Sequence, residues 1–448
     1  MQVDVLYKRE VERFVASQPR SMDLYRRAYR SMPEGVPSGT YAFDPFPLAV
    51  ARGSGAYVWD IDGHEYVDYH NGFGVSIFGH AHPAIVSAVS EQMSRGAHFG
   101  STTEIAERWA AHLCRRFGLS WIRFATSGTE AISDAVRLAR GFTGRTRIAK
   151  IEGCYHGSSE MALVSNPFEE VRRPLRAGEM PTKRLASLGL SRATRDVVVA
   201  PFNDLARAET LLRARDVAAF ILEPILFNVG AIFPEDGYLA SLRELCDRYG
   251  TLLIFDEVKT GVTVAWSGAE QLFDVRPDIK VLGKGIGGGL AVGAIGDCRG
   301  DLRPLIEDWR VPHIGTFSGN PLVAAAGLAG LEEVLVPDAY RRLDEHLCRL
   351  AEGFRRVIEQ ERLPAYFIGA GAKGCVVWSP ERLRDFRDYC RSFNGDLAAL
   401  AWFYLINRGV FLAPGQDEQL TFSVAHGPKE ADQLLTTFAE LASELTNT

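Results

Sequence analysis

The order of apolar runs along the chain predicts an α/β protein: a large unit with a mostly parallel sheet packed between helices, followed by a smaller C-terminal α+β unit. Three observations carry this. From about residue 80 to 330, short β-rich runs alternate with helical stretches, the pattern of parallel strands joined by crossover helices. One of the runs, TLLIF, is apolar throughout, as a strand covered on both faces requires. The last hundred-odd residues instead mix amphipathic helix with short strands (GCVVW, QLTFSVA).

Taken in order, residues 1–65 read as an N-terminal arm with a hairpin. Tyr7 to Tyr29 is charged and helix-compatible, and Pro33, Pro37, Pro45 and Pro47 then force extended or turn backbone. AYVWDIDGHEYVDY alternates apolar and polar residues about Asp62-Gly63, a β-hairpin with a D-G turn. Residues 66–330 form the large unit. Its runs are the strand WIRFA, the helix TEAISDAVRLARGF and the strand RIAKIE. After them come AAFILEP, a helix through Tyr238–Tyr249, TLLIFDEV and IKVLGK. A long helix is expected after Pro321 (LVAAAGLAGLEEVL), and residues 331–448 form the small unit. There is no internal repeat and no low-complexity tract.

Composition removes several function classes. Fifty basic against fifty-six acidic side chains leave a net charge of −6, unsuited to wrapping nucleic acid or coating an anionic membrane. Seven cysteines, none in a C-x-x-C pair, disfavour a disulfide framework or a zinc site and point to a reducing cytoplasm. The N-terminus lacks a signal-peptide core. The longest uncharged apolar run, Leu322 to Leu331, is too short to span a bilayer.

In parallel sheets, ligands bind at the carboxyl ends of strands, so the polar residues that follow each apolar run are the candidates. Ser127-Gly128-Thr129 lies between WIRFA and the next helix. It reads as an anion site at a helix N-terminus or as a plain helix cap. Tyr155-His156 follows RIAKIEGC, and an aromatic there either stacks on a flat ligand or caps the core. Glu223 ends FILE. Asp256 ends TLLIFD, where a carboxylate is costly to bury without a partner. Lys284 follows IKVLG and precedes GIGGGL, and a buried lysine becomes a nucleophile for Schiff-base chemistry. Thr316, in HIGTFSGNP, adds a hydroxyl. The glycines do not follow the G-x-x-x-x-G-K-[ST] order of an NTPase, and no G-x-G-x-x-G follows an early strand. Phosphate anchor, aromatic platform, strand-end carboxylate and a lysine about thirty residues later together match what pyridoxal 5'-phosphate (PLP) needs.

The sequence resembles the class III, fold type I PLP-dependent aminotransferases. The carrying stretches are NGFGVSIFGHAHP (71–83), FATSGTEA (124–131), EGCYHG (152–157), FILEP (220–224), LIFDEVKTG (253–261), LGKGIGGGLAVGAIG (282–296) and GTFSGNP (315–321). EGCYHG, IGGGLAVGA and SVAH (423–426) are most similar to the glutamate-1-semialdehyde 2,1-aminomutase branch. The resemblance implies a large PLP-binding domain with a seven-stranded, mostly parallel sheet. It implies Lys284 as the Schiff-base lysine and Asp256 as partner of the pyridine nitrogen. Ser127, Gly128 and Thr129 would hold the phosphate, Tyr155 the ring face, and Glu223 would lie nearby. Thr316 would reach the phosphate of a neighbouring subunit, which implies a homodimer with shared active sites. The reaction implied moves an amino group from a small-molecule donor to a carbonyl acceptor.

Departures from that branch bear on substrate. Tyr41 stands where relatives place an arginine that holds a substrate carboxylate. Phe73 replaces a common tryptophan. The stretch Ser165 to Ala200 is rich in Arg and Pro instead of Gly and Ser. Tyr41, Phe73 and His156 are the candidate substrate contacts. Arg172 or Arg173 is an alternative carboxylate holder, and Tyr41 packing on Phe43 and Phe46 an alternative role for that ring. The expectation is an aminotransferase for a β-amino acid or a biosynthetic intermediate, with an intramolecular 2,1-aminomutase as the competing reading. A non-catalytic binding module is disfavoured by the retained Lys284 and Asp256.

Overall fold

The computed structural model describes residues 2–167, 171, 173–176, 178–413 and 420–446. The arm begins with helices Gln2–Ser17 and Pro19–Ala28. Phe14, buried on the first, packs against Phe46, Trp402 and Phe403, so the arm docks on the C-terminal part of the chain. The proline-rich stretch holds only single turns, Pro33–Gly35 and Gly39–Tyr41.

Strands β2 (Tyr57–Asp60) and β3 (Glu65–Asp68) form the expected antiparallel hairpin, and β1 (Val50–Ser54), not expected as a strand, pairs antiparallel with β2. The β2–β3 turn falls at Asp62-Gly63 as expected. Asp60 does the closing, its Oδ1 accepting from the amides of Gly63 (2.6 Å) and His64 (2.8 Å). Asp62 instead accepts from the amides of Arg20 and Ser21, capping the second arm helix.

The main sheet contains β4 (Trp121–Ala125), β5 (Arg147–Ile151), β6 (Val197–Ala200), β7 (Val217–Leu222), β8 (Leu252–Asp256), β9 (Ile279–Gly283) and β10 (Gly293–Asp297). Their order is β4-β10-β9-β8-β7-β5-β6. Only β10 runs against its neighbours. The period of two is visible in the core. Ile221 and Ile254 face the helix Gly128–Thr143 with Ala131, Ile132 and Ala135. Phe220, Leu222, Leu253 and Phe255 face the helices Leu205–Leu212 and Tyr238–Tyr249. Both faces are apolar because both are covered.

After Pro321 the helix is regular only to Ala329, then widens over Gly330–Val334. Close packing accompanies the change. A side chain on Gly330 would meet Phe78 at 2.6 Å, and one on Gly327 would meet the Ile286 carbonyl at 2.4 Å. The helix Pro337–Gln360 leads to the C-terminal part, with β11 (Tyr366–Ala370), β12 (Lys373–Val377), β13 (Val410–Phe411) and β14 (Leu420–Thr421). Strands β11, β12 and β14 form their own sheet, whereas β13 joins β3 in parallel. All seven cysteines are free. Among the described residues no helix is long and apolar enough to cross a membrane, and no cluster of metal-ligating side chains occurs.

Candidate active site

Asp256 and Lys284 leave adjacent parallel strands at their carboxyl ends, Asp256 pairing with Val281. The Asp256 carboxylate is 4% exposed. Its Oδ2 lies 2.7 Å from His156 Nδ1, and its Oδ1 accepts from the Val258 amide at 3.1 Å. Burial lowers the pKa of His156 against the pull of Asp256, so the ring is neutral and Nδ1 donates its proton to the carboxylate. Thus His156, a candidate substrate contact from the sequence, is buried and engaged with Asp256.

The loop carrying Tyr155 and His156 is fixed from below. The fully buried Lys150 donates to the carbonyls of Cys154, Ala162 and Val164, and burial lowers its pKa to about 8. The Tyr155 amide donates to Glu223 Oε1 at 2.9 Å, and Asn228 Nδ2 donates to Glu223 Oε2 at 2.6 Å. Burial raises the Glu223 pKa to about 8, opposed by Lys259. Glu223 thereby holds the backbone beneath the Tyr155 ring. Asn228 was not legible as a site residue; its only signal is a lone amide side chain within the apolar run ILFNVG. Arg387 adds a clamp, with Nε and one terminal nitrogen each 2.7 Å from the Glu152 carboxylate.

Ser127 caps the helix Gly128–Thr143, its Oγ accepting from the Glu130 amide. The Gly128 and Thr129 amides, ahead of that bond, are the ones a helix start offers to an anion. The EGCYHG loop presses against them. Ser158 donates to Thr129 Oγ1 at 3.2 Å, and a side chain on Gly157 (φ +84°) would meet that oxygen at 2.1 Å. One on Gly128 would meet Val258 at 3.2 Å. These glycines let three strand ends close around one small cradle.

Lys284 is half-buried, with left-handed backbone (φ 52°). Its Nζ donates to the Phe73 carbonyl at 3.0 Å and lies 5.5 Å from the centre of the Phe73 ring. The structure therefore joins Phe73 to the lysine through backbone as well as ring. Amides at a helix start, a buried carboxylate, an aromatic and a strand-end amine are the donor set PLP requires for phosphate, pyridine nitrogen, ring and aldehyde.

Other candidates lie on the surface. Thr316 is exposed, between exposed Ile314 and Phe317. Tyr41 is 50% exposed in a groove of about 450 Å³ that Tyr25, Met32, Pro37 and Pro47 also line. Phe43 packs on Trp402, and Phe46 on Phe14 and Tyr25. Arg173 pairs with Glu179. Arg172 lies outside the described residues.

Comparison with known proteins places the chain in a family. Residues 40–391 match the model of the family Aminotransferase class-III. A glutamate-1-semialdehyde 2,1-aminomutase of Pelotomaculum thermopropionicum is 38% identical over 424 residues, covering 92% of this chain and 95% of that protein. Among solved structures, a variant glutamate-1-semialdehyde aminomutase from Pseudomonas aeruginosa PAO1 in complex with PMP has 32% identity and a TM-score of 0.90, covering 99% of this chain and 98% of that one. An omega-transaminase from Sphaerobacter thermophilus has 33% identity and a TM-score of 0.89, covering 96% and 99%. The chain belongs to the class-III aminotransferases. It is a PLP-dependent enzyme of fold type I, and its substrates are an amino donor and a carbonyl acceptor.

Proposed function

We propose that this enzyme is an intermolecular aminotransferase acting on a β-amino acid or a biosynthetic carbonyl compound. The observation that carries the site assignment is the pairing of Asp256, held by His156 at 2.7 Å, with Lys284 at the end of the adjacent strand. PLP supplies an aldehyde that condenses with amines and a ring that accepts electrons from the substrate carbon. Lys284 takes the proton from that carbon and returns it as general base and acid. Asp256 keeps a proton on the pyridine nitrogen, and His156 fixes the carboxylate that does so. The amides of Gly128 and Thr129, with the Ser127 and Thr129 side chains, bind the phosphate. Tyr155 covers the ring, on a backbone held by Glu223.

Tyr41 carries the substrate reading. A tyrosine cannot fork onto a carboxylate as arginine does, and the half-exposed Tyr41 offers a carboxylate one hydroxyl and no charge. The acceptor therefore presents no carboxylate to Tyr41. Thr316, exposed between Ile314 and Phe317, is suited to reach a second subunit's phosphate, which makes the working unit a homodimer. A reducing cytoplasm suits its free cysteines. The competing reading, an intramolecular 2,1-aminomutase, is favoured by the 38% identity to an aminomutase across 92% of the chain.

One experiment separates them. Amino donors are screened by following conversion of the bound cofactor to pyridoxamine phosphate, and glutamate-1-semialdehyde is assayed in parallel. Release of a keto product from another donor, with negligible activity on glutamate-1-semialdehyde, supports the aminotransferase. Efficient formation of 5-aminolevulinate promotes the aminomutase.

A further inference from the structure

Four consecutive residues just after β3 have left-handed backbone: Asn71, Gly72, Phe73 and Gly74, with φ of 43°, 56°, 58° and 92°. Two of them carry side chains that resist this conformation, phenylalanine more than asparagine. Such a turn persists only where its surroundings over-determine it. The Asp68 carboxylate supplies part of the hold. It accepts from the amides of His70 and Asn71, each at 2.9 Å, and lies 2.6 Å from His80 Nε2. The Asn71 side chain, completely buried, supplies the rest. Its Nδ2 donates to the Asp68 carbonyl at 2.6 Å and to the Thr421 carbonyl at 2.7 Å. Thr421 belongs to β14, and its amide returns a bond to the Tyr69 carbonyl at 2.6 Å. The C-terminal sheet is thus stitched to the start of the turn, at Tyr69 and Asn71. The product of this arrangement is the Phe73 carbonyl, 3.0 Å from Lys284 Nζ.

We propose that Asn71 is a positioning residue for Lys284. By bridging the Asp68 and Thr421 carbonyls it holds the Phe73 carbonyl where it receives the lysine amine, so the seating of β14 sets how that amine is presented. The inference rests on Lys284 being the lysine that joins the cofactor. Its physical basis is orientation: small misplacements of a reacting group cost large factors in rate. Asn71→Asp isolates the effect. Aspartate has the same shape and tolerates left-handed backbone, but its carboxylate cannot donate to two carbonyl oxygens.

The test uses the full-length protein stripped of cofactor and remixed with either of two probes. PLP condenses with the lysine amine, giving a coloured Schiff base and water. Pyridoxamine phosphate has the same phosphate and ring but no aldehyde, so it reports anchoring alone. Asn71→Asp is expected to slow Schiff-base formation about tenfold and to leave pyridoxamine phosphate affinity within about twofold. Asn71→Ser, which keeps a shorter donor, should slow it about threefold, and carries the comparison if the aspartate variant does not fold. Unchanged rates, or parallel losses with both probes, overturn the proposal. Borohydride trapping and peptide mapping of the unmodified protein decide the underlying reading separately: a label on another lysine would refute the assignment of Lys284 itself.

Discussion

The rim that carries Asp256, His156 and Glu223 and the surface that carries Tyr41 and Thr316 differ in how their polar groups are satisfied. On the rim each carboxylate is buried and met within the chain: Asp256 by His156 and the Val258 amide, Glu223 by Asn228 and the Tyr155 amide. On the surface the side chains are exposed, and Arg173 pairs with Glu179. The rim is therefore finished by folding. On the function proposed above, the surface is completed by a substrate or a second subunit. Variants on the rim should act through chemistry or stability, and variants on the surface through selectivity.

Lys284→Ala should show the largest effect. Turnover falls to background and the cofactor is held without a covalent link, because on the proposed function the amine is both attachment point and proton carrier. Steady-state assays and the visible spectrum check this; turnover near normal would remove Lys284 from the chemistry. Asp256→Asn should fold and lose about 10²–10³-fold in single-turnover rate, since an amide stabilises developing charge on the ring far less well. A near-normal rate would break the claim that the rim is the chemical side.

The difference between the two regions also governs what could be read in the sequence. TLLIFD was legible because a strand buried on both faces leaves an apolar run, and its terminal carboxylate stands out against that run. Lys284 was legible from its place between a short strand run and the glycine-rich GIGGGL, and from the resemblance to a known family. The partners of these groups were less so, because they come from distant positions: His156 reaches Asp256 across a hundred residues of sequence. The hairpin turn at Asp62-Gly63 was legible, but which aspartate closes it was settled by a competition that pattern cannot see. Asp60 and Asp62 both suit the turn, and only the packed arm helix shows that Asp62 is taken by Arg20 and Ser21. The widening after Ala329 begins where Gly330 packs against Phe78, again a contact between remote residues.

Arg387→Met should sharpen the stability side. The guanidinium is 5% exposed and bonds bidentately to the buried Glu152. Removing one partner of a buried pair costs about 3–5 kcal/mol. Chemical unfolding should show that loss, and Glu152→Gln added to it should recover part, because the stranded charge disappears.

Acid should weaken the junction between β3 and the C-terminal part. Burial lowers the pKa of His346 to about 4 and that of His426 to about 3. Tyr69 lies beside both rings. In the unfolded chain these imidazoles take up protons near pH 6.5, whereas the folded protein excludes them. The stabilisation is thus complete above about pH 6.5 and is lost as pH falls toward the folded values, by up to about 1.4 kcal/mol per unit for each ring. Urea midpoints between pH 7 and 5 should fall accordingly, and His346→Gln with His426→Gln should flatten the slope. A midpoint independent of pH over that range would contradict the assignment.

The smallest expected effect lies on the surface, in Tyr41→Arg. Tyr41 is half exposed in a groove lined by the arm, so the substitution strands no buried charge and stability should change by less than about 0.5 kcal/mol. Its consequence should appear in selectivity. An arginine fork offers two parallel hydrogen bonds to a carboxylate and none to a ketone or aryl group in its place. If Tyr41 faces the substrate, KM should fall several-fold for substrates with a carboxylate at that end and stay level for those without one. Paired KM measurements on the two kinds of substrate decide the matter. A uniform shift, or none, would mean that the groove at Tyr41 lies outside the substrate's path. The carboxylate would then be bound by other residues, and the contrast between a chemical rim and a selective surface would have to be redrawn without the arm.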